Sequence, residues 1–248
     1  MKILLSNDDG VTAPGLHQFA SALRRLGEVT ICAPEGPRSG ASSALTLYAP
    51  LHVTEVGPRC WSVSGNPADA VKLALTELMN SRPDLVVSGI NNGLNCGSTV
   101  LYSGTVAAAL EGAQAGILSF AVSRKVATNE NYRSEAKIAA RIIETLAGAP
   151  AGGNTVYNIN IPAPKCRGVV TATTELEPYV DRYDRRTDPR GRTYYWLRGE
   201  PPRRSKGNGY LSDEAAVTQG YVAVTPLRRN LTDESLLRGL SRFYPTRK

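Results

Sequence analysis

Short apolar runs and longer segments with helical periodicity alternate along the first two-thirds of the chain. Runs typical of buried strands occupy residues 2–6, 28–34, 84–90, 117–123 and 155–162. Apolar residues recur at helical spacing between them, at 16–23, 67–78, 106–116 and 134–146. Repeated strand–helix units of this length require parallel strands with helices packed on the faces of the sheet. The pattern therefore predicts an α/β fold with a doubly wound, mostly parallel sheet and helices on both faces.

The pattern changes beyond Pro164. Two segments there are predicted to be extended and antiparallel, with a turn between them: residues 168–174 and 191–197, with the turn at 188–191. Three further elements complete the chain: a short helix from Asp213, a strand at 221–227 and a helix capped by Thr232. We therefore expect an α/β core over residues 1–164 and a C-terminal elaboration over residues 165–248 that packs on this core.

The composition is that of an ordinary globular protein. Of the 248 residues, 42% are hydrophobic and 21% are charged, and no apolar run reaches the roughly 18 residues of a membrane span. The four cysteines lie far apart without a C-x-x-C pair, so neither a zinc ribbon nor a disulfide framework is indicated. The first residues lack the basic-then-apolar plan of a signal peptide. We therefore expect a cytoplasmic protein that does not enter a membrane.

The positive charge is concentrated in the C-terminal part of the chain. The formal net charge is +7, yet residues 1–150 hold 12 basic and 12 acidic residues, whereas residues 151–248 hold 17 and 10. The excess is densest in the Arg-rich segment 182–206. Such a segment can attract polyanions, so a nucleic-acid binder is one alternative. It is the weaker interpretation, because the aromatic residues 194–196 alternate as in a half-buried strand.

Four polar segments fall where the carboxyl ends of strands are expected to meet. Two adjacent carboxylates, Asp8 and Asp9, directly follow the first strand. The other segments contain Ser39 after the second strand, Asn91 and Asn95 after the strand at 84–90, and Ser103, Gly104 and Thr105 at the start of the next helix. Open α/β sheets bind ligands at the carboxyl ends of their strands, so we expect these residues to form one site.

These residue types fit phosphoryl chemistry. Two anions held side by side repel each other, and a hard divalent cation that prefers oxygen ligands, Mg²⁺ or Mn²⁺, would compensate them. The N–H groups at the start of the helix after Ser103 would receive a phosphate. A bound cation would polarise that phosphate and lower the pKa of a water molecule, which makes a nucleophile near neutral pH.

Other catalytic machinery is poorly represented in the sequence. Its two histidines, His17 and His52, lie beside apolar faces rather than within them, so we interpret both as surface residues and not as members of a Ser-His-Asp triad. Two histidines are also too few for a His-rich zinc site. Neither G-x-G-x-x-G nor G-x-x-x-x-G-K-[ST] occurs, so the fingerprints of dinucleotide-binding and P-loop proteins are missing.

The chain closely resembles the SurE survival proteins, a family of metal-dependent 5′/3′-nucleotidases. The main blocks that carry the resemblance are ILLSNDDGVTAPGL (3–16), APEGPRSGAS (33–42), GNPADAVKLAL (65–75), PDLVVSGINNGLNCG (83–97) and YSGTVAAALEGA (102–113). The motifs NIN-P (158–162) and GYVAVTPL (220–227) extend it almost to the C-terminus. The resemblance implies a Rossmann-like core that hydrolyses nucleoside monophosphates to nucleoside and phosphate, with activity on short polyphosphate in some members.

The resemblance also implies roles for individual residues. It implies one divalent cation per subunit, Mg²⁺ or Mn²⁺, with the ligands Asp8, Asp9, Ser39 and Asn91. It implies phosphate contacts from Asn95, Ser103, Gly104 and Thr105. Asn92 and Leu94 occupy variable positions of the loop in this comparison. It further implies a C-terminal arm that is exchanged between the subunits of a homodimer, which in some members pairs into a tetramer.

The expected activity is therefore that of a 5′-nucleotidase, a phosphoric monoester hydrolase in which a metal-activated water attacks the phosphorus. Asp8 or Asp9 could also act as general base or as nucleophile, and the sequence leaves these catalytic roles open. A protein that binds nucleotides without turnover is a second alternative, because a fold alone does not fix a function.

Overall fold

A parallel sheet runs through the centre of the molecule. The computed structural model describes residues 1–148, 155–162, 166–175, 180–200, 209–240 and 242–244. In these residues the chain forms eleven strands: β1 (Lys2–Ser6), β2 (Glu28–Pro34), β3 (Val53–Gly57), β4 (Cys60–Val63), β5 (Leu85–Asn92), β6 (Leu118–Arg124), β7 (Thr155–Ile161), β8 (Val169–Thr171), β9 (Val180–Thr187), β10 (Thr193–Glu200) and β11 (Val222–Arg228). The same residues form six α-helices: α1 (Pro14–Leu23), α2 (Pro67–Leu73), α3 (Gly104–Gln114), α4 (Arg133–Ala147), α5 (Asp213–Thr218) and α6 (Glu234–Leu240).

The strand order makes β1 the centre of a doubly wound sheet. Nine strands pair in the order β3-β4-β2-β1-β5-β6-β7-β11-β8. The six from β4 to β7 are parallel, whereas β3 and β11 run antiparallel to β4 and β7. The chain leaves β1 toward β2 on one side and returns to β5 on the other, so the winding reverses between β1 and β5. Open α/β sheets bind ligands at such a reversal, outside the carboxyl ends of the strands.

Helices cover both faces of this sheet, as predicted. Successive residues of a strand point to opposite faces. Leu5 of β1 belongs to a core with Phe19 of α1 and Ile143 of α4. The preceding residue, Leu4, belongs to a second core with Val71 of α2 and with α3. All of these side chains are fully buried, so the predicted doubly wound α/β architecture is confirmed.

The bounds of two helices compare differently with the prediction. α3 begins at Gly104, as expected for a helix that starts after Ser103, and Ser103 Oγ accepts the N–H of Val106 at 3.1 Å and caps the first turn. The segment predicted as one helix over 67–78 is α2 followed by a π-helical turn at Ala74–Leu78.

None of the helices that the structure describes has the length and apolar character needed to cross a bilayer.

The strand pairing of the C-terminal part also differs from the prediction. The expectation that residues 168–174 pair antiparallel with 191–197 is wrong, because β8 instead joins the main sheet parallel to β11. The partner of β10 is β9, in an antiparallel hairpin. The turn predicted at 188–191 is present between them, and Asp188 Oδ1 accepts the N–H of Arg192 at 2.9 Å. Both β8 and β11 follow residue 164 and belong to the main sheet. The main sheet therefore contains strands from both sides of the expected boundary at residue 164.

Two further details of this part correct the sequence-based expectation. Residues 194–196 of the hairpin are exposed rather than half-buried. The expected cap of the last helix at Thr232 is wrong, because Asp233 precedes α6 and its Oδ1 accepts the N–H of Ser235 at 3.0 Å. Asp233 lies one residue closer to the helix, where a side-chain oxygen reaches the first N–H groups.

We expect Gly112→Ala to destabilise the fold, because α3 packs on the sheet without space for a Cβ atom at this position. A Cβ atom built there would lie 2.5 Å from Val86 Cβ and from Ser119 Oγ. Overpacking of this kind lowers the free energy of unfolding by about 1–3 kcal/mol, which urea unfolding measures. Gly239→Ala in α6, where the added atom meets nothing within 4 Å, is the matched control. Equal stability of Gly112→Ala and the wild type would contradict this packing.

Candidate active site

A turn closed by a side chain places two carboxylates at the carboxyl end of β1. Asn7 Oδ1 accepts the N–H of Gly10 at 3.2 Å, and Asn7 Nδ2 donates to the Gly10 carbonyl at 3.0 Å. Gly10 has a φ of 104°, and a Cβ atom there would lie 3.0 Å from Gly36 Cα, so the close approach of the two loops needs a glycine. The turn fixes Asp8 and Asp9 directly after the strand.

Asp8 is held against the first turn of α3. Its Oδ1 accepts a short hydrogen bond from the Thr105 hydroxyl. A Cβ atom built at Gly104 would lie 2.9 Å from Asp8 Cβ and 3.4 Å from Asp8 Oδ2. The second carboxylate oxygen of Asp8 therefore lies beside the N-terminus of α3. Helix N-termini bind phosphate, because their first N–H groups have no intrahelical acceptor and carry a partial positive charge.

Burial disfavours the charged forms of both carboxylates. It raises the pKa of Asp8 to about 6 from the ordinary 3.8, while the Thr105 hydrogen bond opposes this shift and the charge of Asp9 adds to it. The pKa of Asp9 is also raised by burial, and the backbone N–H of Asn92 opposes that shift. Asp8 is 4% exposed and Asp9 is partly buried. A nearby cation would favour the charged forms of both groups.

The loop after β2 lies beside Asp8. The N–H of Arg38 donates to the Asp8 backbone carbonyl at 2.8 Å. Ser42 donates from its N–H and its hydroxyl to the carbonyls of residues 101–102, just before α3, at 3.1 and 2.7 Å. Ser39 lies between these two anchors and is exposed. The structure therefore places the segment that carries Ser39 at the same edge as the carboxylate pair.

The end of β5 borders the pair on the other side. Ser88 of β5 lies opposite Ser6, the last residue of β1, in the parallel register, and β5 continues four residues further to Asn92. Asn91 Nδ2 donates to the Gly93 carbonyl at 2.8 Å, which leaves the amide oxygen Oδ1 of Asn91 as a ligand atom. Since the N–H of the next residue faces Asp9, the segments with the four predicted metal ligands meet at the crevice between β1 and β5.

Asn95 lies in a polar cluster at the ends of β6 and β7. Its Nδ2 donates to Ser123 Oγ at 2.7 Å, and its N–H donates to Asn160 Oδ1 at 2.8 Å. Its carbonyl accepts hydrogen bonds from the Nδ2 groups of Asn158 and Asn160 at 2.7 and 3.0 Å. All four residues are buried. The expected phosphate contact of Asn95 stays a prediction. The asparagines at 158 and 160 support its backbone, and the sequence signalled this pair by alternating polarity and by the motif NIN-P, without a role for either residue.

The side chains of the α3 turn have identified hydrogen-bond partners. Ser103 caps the helix, and the Thr105 hydroxyl donates to Asp8. The phosphate contacts implied for Ser103, Gly104 and Thr105 stay a prediction. The groups left for a phosphate are the backbone N–H groups of Gly104 and Thr105 and the hydroxyl proton of Ser103. The contact between Asp8 and Thr105 was missed from the sequence, because no local pattern relates positions so far apart.

The usual metal-binding side chains do not cluster in the part of the chain that the structure describes. No group of three or more His, Cys, Asp or Glu side chains in that part of the chain could hold a metal ion. The predicted ligand set does not need such a group, since it combines two carboxylates with a hydroxyl and an amide oxygen. His17 and His52 are both exposed, as predicted, and His17 Nε2 lies 2.7 Å from the Val11 carbonyl oxygen.

Comparisons with known proteins show the family to which the chain belongs. A family model described as Survival protein SurE matches residues 3–180. The chain belongs to the SurE family. A SurE relative named 5′-nucleotidase SurE, from Vibrio campbellii, is 43% identical over 244 residues, which cover 97% of this chain and 93% of the relative. Another protein of that name, from a Synechococcus species, is 40% identical over 254 residues, with 98% and 97% covered.

A solved structure extends the SurE similarity to the fold. The crystal structure of the SurE protein from Aquifex aeolicus matches with a TM-score of 0.86 and 34% sequence identity. The match covers 98% of this chain and 99% of that chain. The family membership predicted from the sequence motifs is therefore confirmed along nearly the whole chain.

We expect the metal-free protein to lose stability relative to Asp8→Asn as the pH rises from about 4 to about 7. Asp8 binds more protons in the folded state than in the unfolded state, because its folded-state pKa of about 6 exceeds the ordinary 3.8. The free energy of unfolding therefore falls through this window, by about 3 kcal/mol at 1.36 kcal/mol per pKa unit.

Asparagine at position 8 does not titrate, and its amide oxygen can still accept the Thr105 hydroxyl. The Asp8→Asn variant therefore isolates the contribution of Asp8 titration to the unfolding free energy. Urea unfolding of both proteins in EDTA at the two pH values gives the difference in unfolding free energy. The same pH dependence in the wild type and Asp8→Asn would mean that Asp8 does not titrate abnormally.

Proposed function

We propose that this chain is a divalent-cation-dependent 5′-nucleotidase that releases phosphate from nucleoside 5′- and 3′-monophosphates, with short polyphosphate as a secondary substrate. The observation that carries the proposal is the contact between Asp8 and the first turn of α3, which sets a carboxylate pair beside a phosphate-binding helix end. The name 5′-nucleotidase SurE of the relatives supports the same chemistry.

The donor atoms of the site fit a hard divalent cation, and we assign it one Mg²⁺ or Mn²⁺ ion per subunit. The assigned ligands are the carboxylates of Asp8 and Asp9, the hydroxyl of Ser39 and Oδ1 of Asn91. All are oxygen donors, which these ions prefer. Oδ1 of Asp8 accepts the Thr105 hydroxyl, so Asp8 would be held in one orientation when its carboxylate binds the cation. When bound, the cation neutralises charge on the phosphoryl group and acidifies water.

The protein's own groups hold the phosphate and the carboxylates in place. The N–H groups of Gly104 and Thr105 donate to the phosphoryl oxygens, where charge develops during the reaction. The Thr105 hydroxyl fixes the rotation of Asp8. We assign the attack to water, and both carboxylates serve as ligands. Asp9 is the more exposed of the two, so it is the carboxylate that the attacking water can reach to pass on its proton.

We further propose that the chain works in the cytoplasm as a homodimer, or as a pair of dimers, that exchanges its C-terminal arm. The support is apolar surface on this arm: Leu197 of β10 and Leu236, Leu237 and Leu240 of α6 are exposed. Clustered exposed apolar side chains mark interaction surfaces. Light scattering of the purified chain tests the assembly, and a monomer at working concentration would contradict it.

The activity is tested by phosphate release from a panel of 5′- and 3′-nucleoside monophosphates. We expect EDTA-treated protein to be inactive and single additions of Mg²⁺, Mn²⁺ or Zn²⁺ to restore release, because the cation supplies the charge neutralisation that the carboxylate pair cannot. Nucleotide binding without release under any metal would favour a nucleotide sensor. A steep loss of DNA or RNA binding with salt, without phosphatase activity, would favour a nucleic-acid binder.

Asp9→Asn is the matched variant for the same assay. It keeps the size of the side chain and removes its charge, so phosphate release should fall at least about 100-fold, equivalent to about 3 kcal/mol in the barrier. Circular dichroism checks that the variant is folded. Near-normal release by folded Asp9→Asn would remove Asp9 from the reaction.

A further inference from the structure

Arg124, at the end of β6, is a fully buried cation just outside the proposed site. Its Nη1 and Nη2 donate to the carbonyls of Asn131 and Asn129 at 2.8 and 2.6 Å. Nη1 also lies 3.6 Å from Glu135 Oε1, and the guanidinium carbon lies 3.5 Å from the centroid of the Tyr132 ring. A buried charge is strongly destabilising unless it is paired and hydrogen-bonded, so these contacts keep Arg124 in one orientation.

One further contact of Arg124 is directed toward β5. Its Nε donates to Asn92 Oδ1 at 3.1 Å, and the two residues lie opposite each other in the β5–β6 register. The Asn92 side chain also makes two hydrogen bonds with Ala127. Its Oδ1 accepts the Ala127 N–H, and its Nδ2 donates to the Ala127 carbonyl, both at 3.1 Å. The Asn92 side chain is therefore fixed, although the residue is exposed.

The backbone of Asn92 is the part that reaches the carboxylate pair. Its N–H faces Asp9 and favours the charged form of that carboxylate. The preceding residue, Asn91, is the assigned amide ligand, and its own side chain is tied to the Gly93 carbonyl at 2.8 Å. A rotation of the peptide between these two asparagines would move both the N–H that faces Asp9 and the assigned ligand.

We propose that Arg124 and Asn92 are positioning residues for the cation: Arg124 holds Asn92, and Asn92 holds Asp9 and Asn91 in the geometry that binds the metal. The inference rests on the proposed function. Arg124 touches neither the substrate nor the cation and acts through Asn92. A purely structural arginine would need only its contacts with residues 129–135, whereas the hydrogen bond from its Nε to Asn92 is directed to the strand that carries Asn91.

Asn92→Ala tests this role, because it removes the side-chain link and keeps the N–H that faces Asp9. Calorimetric titration of Mn²⁺ into metal-free protein should show affinity lowered at least about 10-fold, the usual effect of losing a partner that orients a metal ligand. Arg124→Lys keeps a charge near Glu135 and loses the Nε hydrogen bond, so it should shift the affinity in the same direction. The kcat for phosphate release should recover toward the wild-type value at saturating Mn²⁺.

Gln18→Ala is the matched control for general loosening of this region. Gln18 Oε1 accepts the Tyr132 N–H, and its Nε2 donates to the Glu130 carbonyl, both at 2.8 Å. The variant therefore releases the same loop from its other side without touching Asn92. We expect the thermal midpoint to fall in Gln18→Ala while its Mn²⁺ affinity stays at the wild-type value.

The outcomes separate this inference from the proposed function. Wild-type Mn²⁺ affinity in folded Asn92→Ala and Arg124→Lys would overturn the positioning role and leave the proposed function standing. An equal loss of affinity in Gln18→Ala would also overturn it, since loosening alone would then explain the effect. Absence of Mn²⁺ binding by the wild type would refute the proposed function, and the positioning role with it.

Discussion

The hydrogen bond between Asp8 and Thr105 connects the two halves of the proposed site and determines how closely α3 approaches β1. Burial disfavours the charge on Asp8, and this hydrogen bond offsets part of that penalty. The close approach also requires a glycine at position 104, where a Cβ atom would collide with Asp8. The helix end proposed to bind phosphate and the carboxylate proposed to bind the metal are thereby held next to each other.

The two neighbouring carboxylates are supported from opposite directions. Asp8 accepts a hydrogen bond from Thr105 of α3, on one face of the sheet, whereas Asp9 faces the backbone of Asn92 at the end of β5. Asn92 is tied in turn to Arg124 of β6. Asp8 and Asp9 are adjacent in sequence, yet they contact α3 and β5, which are distant in sequence. Both elements can lie beside the carboxylate pair because the winding of the sheet reverses between β1 and β5.

The sequence was sufficient for the central sheet, because strands buried on both faces appear as apolar runs. It also placed Asp8, Asp9 and Asn91 at one edge, since the carboxyl ends of parallel strands share an edge. The strand at 180–187 could not be predicted, because its charged residues mask the strand signal and its conformation comes from pairing with β10.

Tertiary contacts explain the residues that were missed within the site. Arg124 follows an apolar run and looks like a charge that ends a strand at the surface. It is buried, and its guanidinium is paired there by the carbonyls of Asn129 and Asn131 together with Glu135. The hydroxyl of Thr105 donates to Asp8, which follows the first strand and lies almost a hundred residues away in sequence. Local periodicity contains no information about either contact.

The Asp8–Thr105 contact has a thermodynamic consequence for the proposed ligands. A phosphate on the first turn of α3 and a cation on Asp8 act on two ends of a single hydrogen bond. If either ligand changes the affinity for the other, the coupling must be reciprocal, so the factor by which the cation strengthens phosphate binding equals the factor by which phosphate strengthens cation binding. If the cation strengthens phosphate binding, inorganic phosphate released by the reaction strengthens binding of the proposed metal by the same factor and helps to retain it between turnovers.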